Sequence, residues 1–181
     1  STSSVQLSSQ QVSAASRLFS SGVLRELSRR AYSETFTRIV DELIPTGFVK
    51  PTERVSHFFN SVFEVLKKRE HRNEYVYKAV LAHKVLLGTH SLKTTAMLNE
   101  FGVGENKADI VMFNGTSAIY EIKSERDSLN RLKQQITAYR KVCAEVNVIT
   151  GYKHLENVLD LVPEDVGILL LTDRNQISTL R

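Results

Sequence analysis

Three charged residues sit where the surrounding chain is otherwise apolar. Asp109 lies in Lys107-Ala108-Asp109-Ile110-Val111-Met112-Phe113, and Glu121 and Lys123 lie in Ser117-Ala118-Ile119-Tyr120-Glu121-Ile122-Lys123. Both segments read as strands, and Asn114-Gly115 between them is a hairpin signal. Residues i and i+2 of a strand point to the same face, so Glu121 and Lys123 project together. A hairpin can bring Asp109 alongside them. Ile110, Val111, Met112, Ile119 and Ile122 mark the strands as internal, where charges are costly unless paired or binding something. Oxygen-only ligands of this kind suit Mg²⁺ or Mn²⁺ rather than zinc. A cation held by two carboxylates polarises a phosphoryl oxygen and lowers the pKa of bound water. A neighbouring lysine can orient that water or offset developing charge.

Parity constrains the turn. A two-residue Asn114-Gly115 loop would set Asp109 opposite Tyr120 and send Glu121 to the other face. A three-residue loop, with Gly115 in the left-handed region, sets Asp109 and Glu121 on one face. The chemistry therefore predicts the three-residue loop.

The elements that must carry this constellation follow from periodicity. Residues 1–21 are rich in Ser and Gln and read as frayed at the front. Val23, Leu24 and Leu27 share one helical stripe, and Phe36, Ile39, Val40 and Leu43 another, with Ser33 as N-cap. Pro45 and Gly47 break the chain. The clearest helix starts near Pro51-Thr52, with Val55, Phe58, Phe59, Val62, Phe63 and Leu66 on one stripe, a core pattern. A further helix runs from about Asn73 to Leu87 and ends at Gly88.

Beyond Gly88 the reading is a strand at 94–98, a turn at Gly102 and Gly104, and the two strands above. A helix over 128–144 follows, with Leu132, Ile136, Tyr139 and Cys143 on one side. Then come a strand at 146–149, a helix at 154–161 and a strand at 167–171. From Asn73 the order is α-β-β-β-α-β-α-β, a mixed sheet with helices on its faces.

This arrangement resembles the PD-(D/E)XK nuclease superfamily, and in particular small bacterial proteins assigned to it. The matching residues are Lys107-Ala108-Asp109-Ile110 and Tyr120-Glu121-Ile122-Lys123-Ser124-Glu125-Arg126-Asp127. They continue with Leu132, Gln135 and Tyr139, then His154-Leu155-Glu156 and Val162-Pro163-Glu164 leading into Gly167. The resemblance covers roughly residues 70–172; Ala108 stands where the family's proline precedes the acid. It implies a restriction-endonuclease-like αβββαβ core over 71–181, behind an all-helical N-terminal extension over 1–70. Gln135-x-x-x-Tyr139 is similar to the helix motif of RecB-type members, where it contacts DNA and supports the site. The superfamily supplies one more acid from the first core helix or the first strand. The resemblance therefore implies Glu74 or Glu100 as a further metal ligand. Glu100 is preferred, because an adjacent strand can deliver it near Asp109. Arg126 and Asp127 are expected to cap and order the following helix.

The expectation is a nuclease that hydrolyses DNA phosphodiesters, with Asp109 and Glu121 on Mg²⁺ (or Mn²⁺) and Lys123 positioning water. Gln135 and Tyr139 would brace the site or touch the strand. One alternative is a catalytically silent nucleic-acid-binding module of the same fold. Another is an assembly protein whose N-terminal helices, through Phe58, Phe59 and Phe63, mediate a homodimer.

Composition bounds these readings. The 181 residues carry 24 Lys and Arg against 20 Asp and Glu, a net charge of +4 that permits a polyanionic partner without demanding one. The balance runs from +4 over residues 1–72, through +2 over 73–151, to −2 over 152–181. The dense run Lys67-Lys68-Arg69, with Arg72 behind it, reads as a solvated helix end. No apolar run approaches the roughly 20 residues that span a bilayer, and the start lacks a secretory pattern, so a cytoplasmic location is expected. Cys143, the one cysteine, reads as a buried small hydrophobe. His57, His71, His83, His90 and His154 show no catalytic spacing, and Gly102-x-Gly104 lacks the rest of a phosphate-loop fingerprint.

Overall fold

The computed structural model describes residues 5–84 and 95–181. The chain divides into two compact units, Ser1–His71 and Arg72–Arg181. The strand expected at 94–98 lies partly outside the described residues. So do Gly88, His90 and the end of the helix expected to reach Leu87.

The first unit is helical. Helix α1 (Ser9–Ser16) opens on a capping box: Gln11 N–H donates to Ser8 Oγ at 3.2 Å, and Ser8 N–H donates to Gln11 Oε1 at 2.9 Å. The Ser- and Gln-rich front is thus ordered from Ser8, because those residue types supply the cap. Ser20 caps α2 (Ser21–Arg30) and Ser33 caps α3 (Glu34–Leu43), each accepting a backbone N–H three residues on, at 3.3 Å. A 3₁₀ turn over Ile44–Thr46 ends at Gly47, whose φ of +76° needs a glycine. Helix α4 (Val55–Leu66) buries Phe58, Val62 and Leu66. Phe58 and Phe59 pack edge-on and stacked against Phe36, and Phe59 meets Phe19 at 5.3 Å between ring centres. The aromatic stripe is spent on this unit's own core, with Phe58 only 2% exposed. Val55 lies off it, exposed. Lys67 pairs with Glu64 at 2.8 Å and lies over the Phe63 ring.

The second unit is a six-stranded mixed sheet in the order β1-β2-β3-β4-β5-β6, with helices on both faces. Its elements are α5 (Glu74–Lys84), β1 (Ala96–Val103), β2 (Asn106–Phe113), β3 (Ser117–Lys123), α6 (Leu132–Tyr139), β4 (Glu145–Thr150), α7 (Leu155–Leu161), β5 (Gly167–Leu171) and β6 (Ile177–Thr179). This is the αβββαβ core with a terminal αβ and a sixth strand, β6, that periodicity missed because it is only three residues long. Pairs β1·β2, β2·β3 and β5·β6 are antiparallel, and β3·β4 and β4·β5 are parallel. One face packs Ile110, Met112, Ile122, Ile149 and Leu169 under Tyr77 and Leu81 of α5. The other packs Val111, Ile119, Val146, Val148 and Ile168 under Leu132, Ile136 and Tyr139 of α6 and Val158 of α7, with Cys143 partly buried at its edge. Among the described residues, no helix is long and apolar enough to cross a membrane.

Arg72 is no solvated helix end: its side chain is fully buried in the second unit. Its Nη1 donates to the carbonyls of Leu171 and Thr172, at 3.3 and 2.7 Å, and its Nε donates to Glu125 Oε1 at 3.1 Å. The guanidinium ties the start of α5 to the end of β5.

Candidate metal-binding site

The β2–β3 hairpin has the three-residue loop, 114–116, with Gly115 at φ +71°. Phe113 pairs with Ser117 and Ile110 with Tyr120, which sets Asp109 across from Glu121. The ladder stops at Ile110 and Tyr120, while β3 runs on to Lys123 beside β4. The backbone N–H of Ile122 donates instead to Asp109 Oδ2 at 2.7 Å. The carboxylate thus fills the place a strand carbonyl would have taken.

A local irregularity sits at this point. Ile110 and Met112 pack toward α5, whereas both Val111 and Ala108 pack toward α6, so the alternation of β2 slips by one residue at Asp109. On β1, Asn99 pairs with Ile110 and Phe101 with Ala108, leaving Glu100 unpaired with φ +54°. The register is the same on either side, so Glu100 and Asp109 drop out of the ladder together.

Glu121 and Lys123 are buried, at 2% and 7% exposure. Glu121 Oε1 accepts from Gln135 Nε2 at 2.6 Å and faces Lys123 Nζ at 3.1 Å. Lys123 Nζ donates to Gln135 Oε1 at 3.0 Å. Because an ammonium only donates and a carboxylate only accepts, this ring fixes the amide orientation of Gln135 chemically. Tyr139 Oη lies 2.9 Å from Glu121 Oε2 and 3.0 Å from the Lys107 carbonyl, two acceptors for one hydroxyl proton. Thr150 Oγ1 donates to the Lys123 carbonyl at 2.8 Å, locking the end of β3 to β4. Leu132, Gln135, Ile136 and Tyr139 fall at i, i+3, i+4 and i+7, which is why α6 delivers both polar groups from one buried face.

The electrostatics follow from two carboxylates drawn out of water, Glu121 beside Lys123 and Asp109 within reach of Glu74 and Lys78. Burial first, and then the Glu121 charge, raises Asp109 to about 7, against the Ile122 hydrogen bond that lowers it. Burial also raises Glu121, opposed by Lys123 and by the Tyr139 and Gln135 hydrogen bonds. Burial and the Glu121 charge push the Tyr139 hydroxyl up, so it acts as a neutral donor.

Of the sequence-derived residues, Asp109, Glu121, Lys123, Gln135 and Tyr139 come together. Glu100 does not join them: it is exposed and faces Lys107 Nζ at 3.7 Å. Glu74, paired with Lys78, is the acid whose charge reaches Asp109. Asp127 serves the turn that ends β3, not the helix. Its Oδ2 accepts from both Ser124 N and Ser124 Oγ at 2.7 Å, and α6 begins only at Leu132. His154 lines a separate cleft with Asp127 and Ser128. Among the described residues, no group of three or more His, Cys, Asp or Glu side chains gathers to hold a metal.

Sequence reasoning missed the support behind the site. Glu125, two residues beyond Lys123, bonds Arg72 through Oε1 and accepts from Tyr77 Oη at 3.0 Å through Oε2. Gly151, just past β4, leaves room for it. A Cβ there would lie 2.3 Å from Glu125 Oε1 and 2.8 Å from Tyr77 Oη. A glycine directly after a strand was the available signal.

Residues 67–181 match the family model of Bacteriophage P4 protein cII. Protein cII of Enterobacteria phage P4 is 30% identical over 86 residues, which cover 46% of this chain and 33% of that protein. The matched segment thus spans about a third of the curated relative. A solved structure, Pyrococcus furiosus SfsA in complex with Ca²⁺, aligns at 15% identity with a TM-score of 0.33, over 69% of this chain and 62% of that one. That likeness is too slight to bear on fold or function. The family match takes in the whole α5–β6 sheet unit and every residue of the candidate site, and the chain belongs to the Bacteriophage P4 protein cII family.

Proposed function

We propose that the second unit is a metal-dependent nuclease of the PD-(D/E)XK type, acting on DNA phosphodiesters. The observation that supports this most is an excess of negative charge: the Glu121 carboxylate acts on half-buried Asp109, while Lys123 Nζ contacts Glu121. A divalent cation relieves that excess. The donor set fits Mg²⁺, which binds through one or two carboxylates and completes its shell with water and substrate phosphate oxygens. Asp109 and Glu121 would hold it, with Glu74 adding charge from α5. Bound there, the cation supplies Lewis-acid polarisation of a phosphoryl oxygen.

The chain's own groups divide the remaining work. Hydrolysis joins a water oxygen to phosphorus and breaks one ester P–O bond; the water loses a proton and the departing alkoxide gains one. Lys123 orients the water and offsets the charge building on the phosphoryl oxygens. Gln135 keeps Lys123 and Glu121 in register by bonding both. Tyr139 anchors Glu121 to the start of β2.

Incubating the full chain with duplex and single-stranded DNA and Mg²⁺ or Mn²⁺ tests the reading. Cleavage that EDTA abolishes, and that Glu121→Gln and Lys123→Ala each reduce by at least about a hundredfold, is the expected result. Unchanged cleavage by both variants would sink it. The two-carboxylate donor set favours one rival, a binding module without catalysis. Metal-independent DNA binding with no cleavage would establish that rival.

A further inference from the structure

Helix α6 and the turns that flank it carry a second polar face. Asn130, Lys133, Gln134, Thr137 and Lys141 follow the spacing i, i+3, i+4, i+7 and i+11, the stripe opposite the one that carries Gln135 and Tyr139. They line a groove of about 790 Å³ whose other wall is the β1–β2 turn, Val103 to Asn106. From Ser128 to Val142 the chain carries four cations, Arg131, Lys133, Arg140 and Lys141, and no acid. Arg140 is engaged by Asp165 at 2.7 Å. Lys133 and Lys141 are in no ion pair among the described residues, and Glu105 is the one acid in the groove lining.

An independent observation points the same way. Asn106 is 6% exposed, lines the groove, and its Oδ1 has no hydrogen-bond partner. A buried amide oxygen without a partner is costly, and a water, an ion or a ligand group that reaches it would offset the cost. The groove also adjoins the candidate site. Asn106 precedes Lys107, whose carbonyl lies within hydrogen-bond distance of the Tyr139 hydroxyl beside Glu121.

We infer that this groove is the track for a nucleic-acid strand. Lys133 and Lys141 take consecutive stretches of the phosphodiester backbone, and the Asn106 amide bonds a sugar or base group of the same strand. The inference rests on the nuclease reading for what happens to the strand, but its binding test stands apart from it.

The test uses the full chain in EDTA, so that nothing is cut, and fluorescence anisotropy with short labelled single-stranded and duplex oligonucleotides. Lys133→Gln combined with Lys141→Gln is expected to weaken binding about tenfold at low salt. It should also flatten the slope of log K against log salt by about 1.4 to 1.8, the value of two lost phosphate contacts. Asn106→Ala, checked by its melting curve, should weaken binding with the salt slope unchanged. Whichever oligonucleotide shows these changes is the form the groove takes. Arg174→Gln, on the exposed β5–β6 turn, is the control. Equal loss in that control, no change in the double variant, or no binding by the unsubstituted chain overturns the inference. If the double variant behaves as expected but Mg²⁺ never produces cleavage, the groove stands and the nuclease reading falls.

Discussion

Asp109 and Ile122 are joined by a 2.7 Å hydrogen bond, backbone N–H to carboxylate, at the point where β2 and β3 stop pairing. The side chain both closes the gap between the strands and places its charge beside Glu121. Those two roles separate by substitution. Asp109→Asn keeps an acceptor and loses the charge, so the folded state should survive while metal-dependent cleavage disappears. Asp109→Ala strands the Ile122 N–H and should cost about 1–3 kcal/mol as well. Thermal melts beside cleavage assays read the two effects separately.

Burial sets the sign of the pH response. Asp109 titrates near 7 in the folded protein and in the ordinary carboxylate range when unfolded, so the folded state holds the extra proton between those limits. Its contribution to stability is therefore present below pH about 4 and is lost as pH rises through about 7. Denaturant melts without metal should show this fall from pH 5 to pH 8. Asp109→Asn should flatten it, and Mg²⁺ should restore stability at the alkaline end.

Tyr139→Phe removes the hydroxyl that bonds Glu121 and the Lys107 carbonyl and leaves the packing of α6 intact. About 1–3 kcal/mol of stability should go, since the Glu121 carboxylate is buried and loses a donor. Cleavage should fall in kcat more than in KM, because the hydroxyl holds a metal-binding carboxylate and touches no substrate.

Gly151→Ala would force a Cβ against Glu125 and the Tyr77 hydroxyl. A loss of about 1–3 kcal/mol is expected from overpacking. Arg72→Ala should cost more, about 3–5 kcal/mol, because Glu125 then keeps a charge in a largely buried place without its cation.

Helix α2 ends on Ala31 in the left-handed region, φ 53°. Ala31→Gly relieves that strain and should stabilise the helical unit by about 1 kcal/mol, visible as a higher Tm.

The strand hairpin was legible because its chemistry and its parity agree. Requiring Asp109 and Glu121 to share a face demanded the three-residue loop, and Gly115 supplies the backbone it needs. The spacing of Gln135 and Tyr139 likewise put both on one helix face. The slip in alternation at Asp109 was not legible, since nothing in Asn99-Glu100-Phe101 announces a left-handed residue in mid-strand. That slip leaves Glu100 facing Lys107 rather than the site. Arg72 misled for a related reason: as one of a run of cations it looked solvated, and its partner Glu125 lies 53 positions away. Long-range pairing of that kind has no local periodicity to betray it.

The central claim is that Asp109 and Glu121 together hold a divalent cation. Anomalous diffraction from Mn²⁺-soaked crystals of the full chain measures this most directly. A peak within about 2.1 Å of a carboxylate oxygen from each of the two residues, absent in Glu121→Gln crystals, is the predicted result. A map with no peak there, or with the ion bound elsewhere and unaffected by Glu121→Gln, would contradict it.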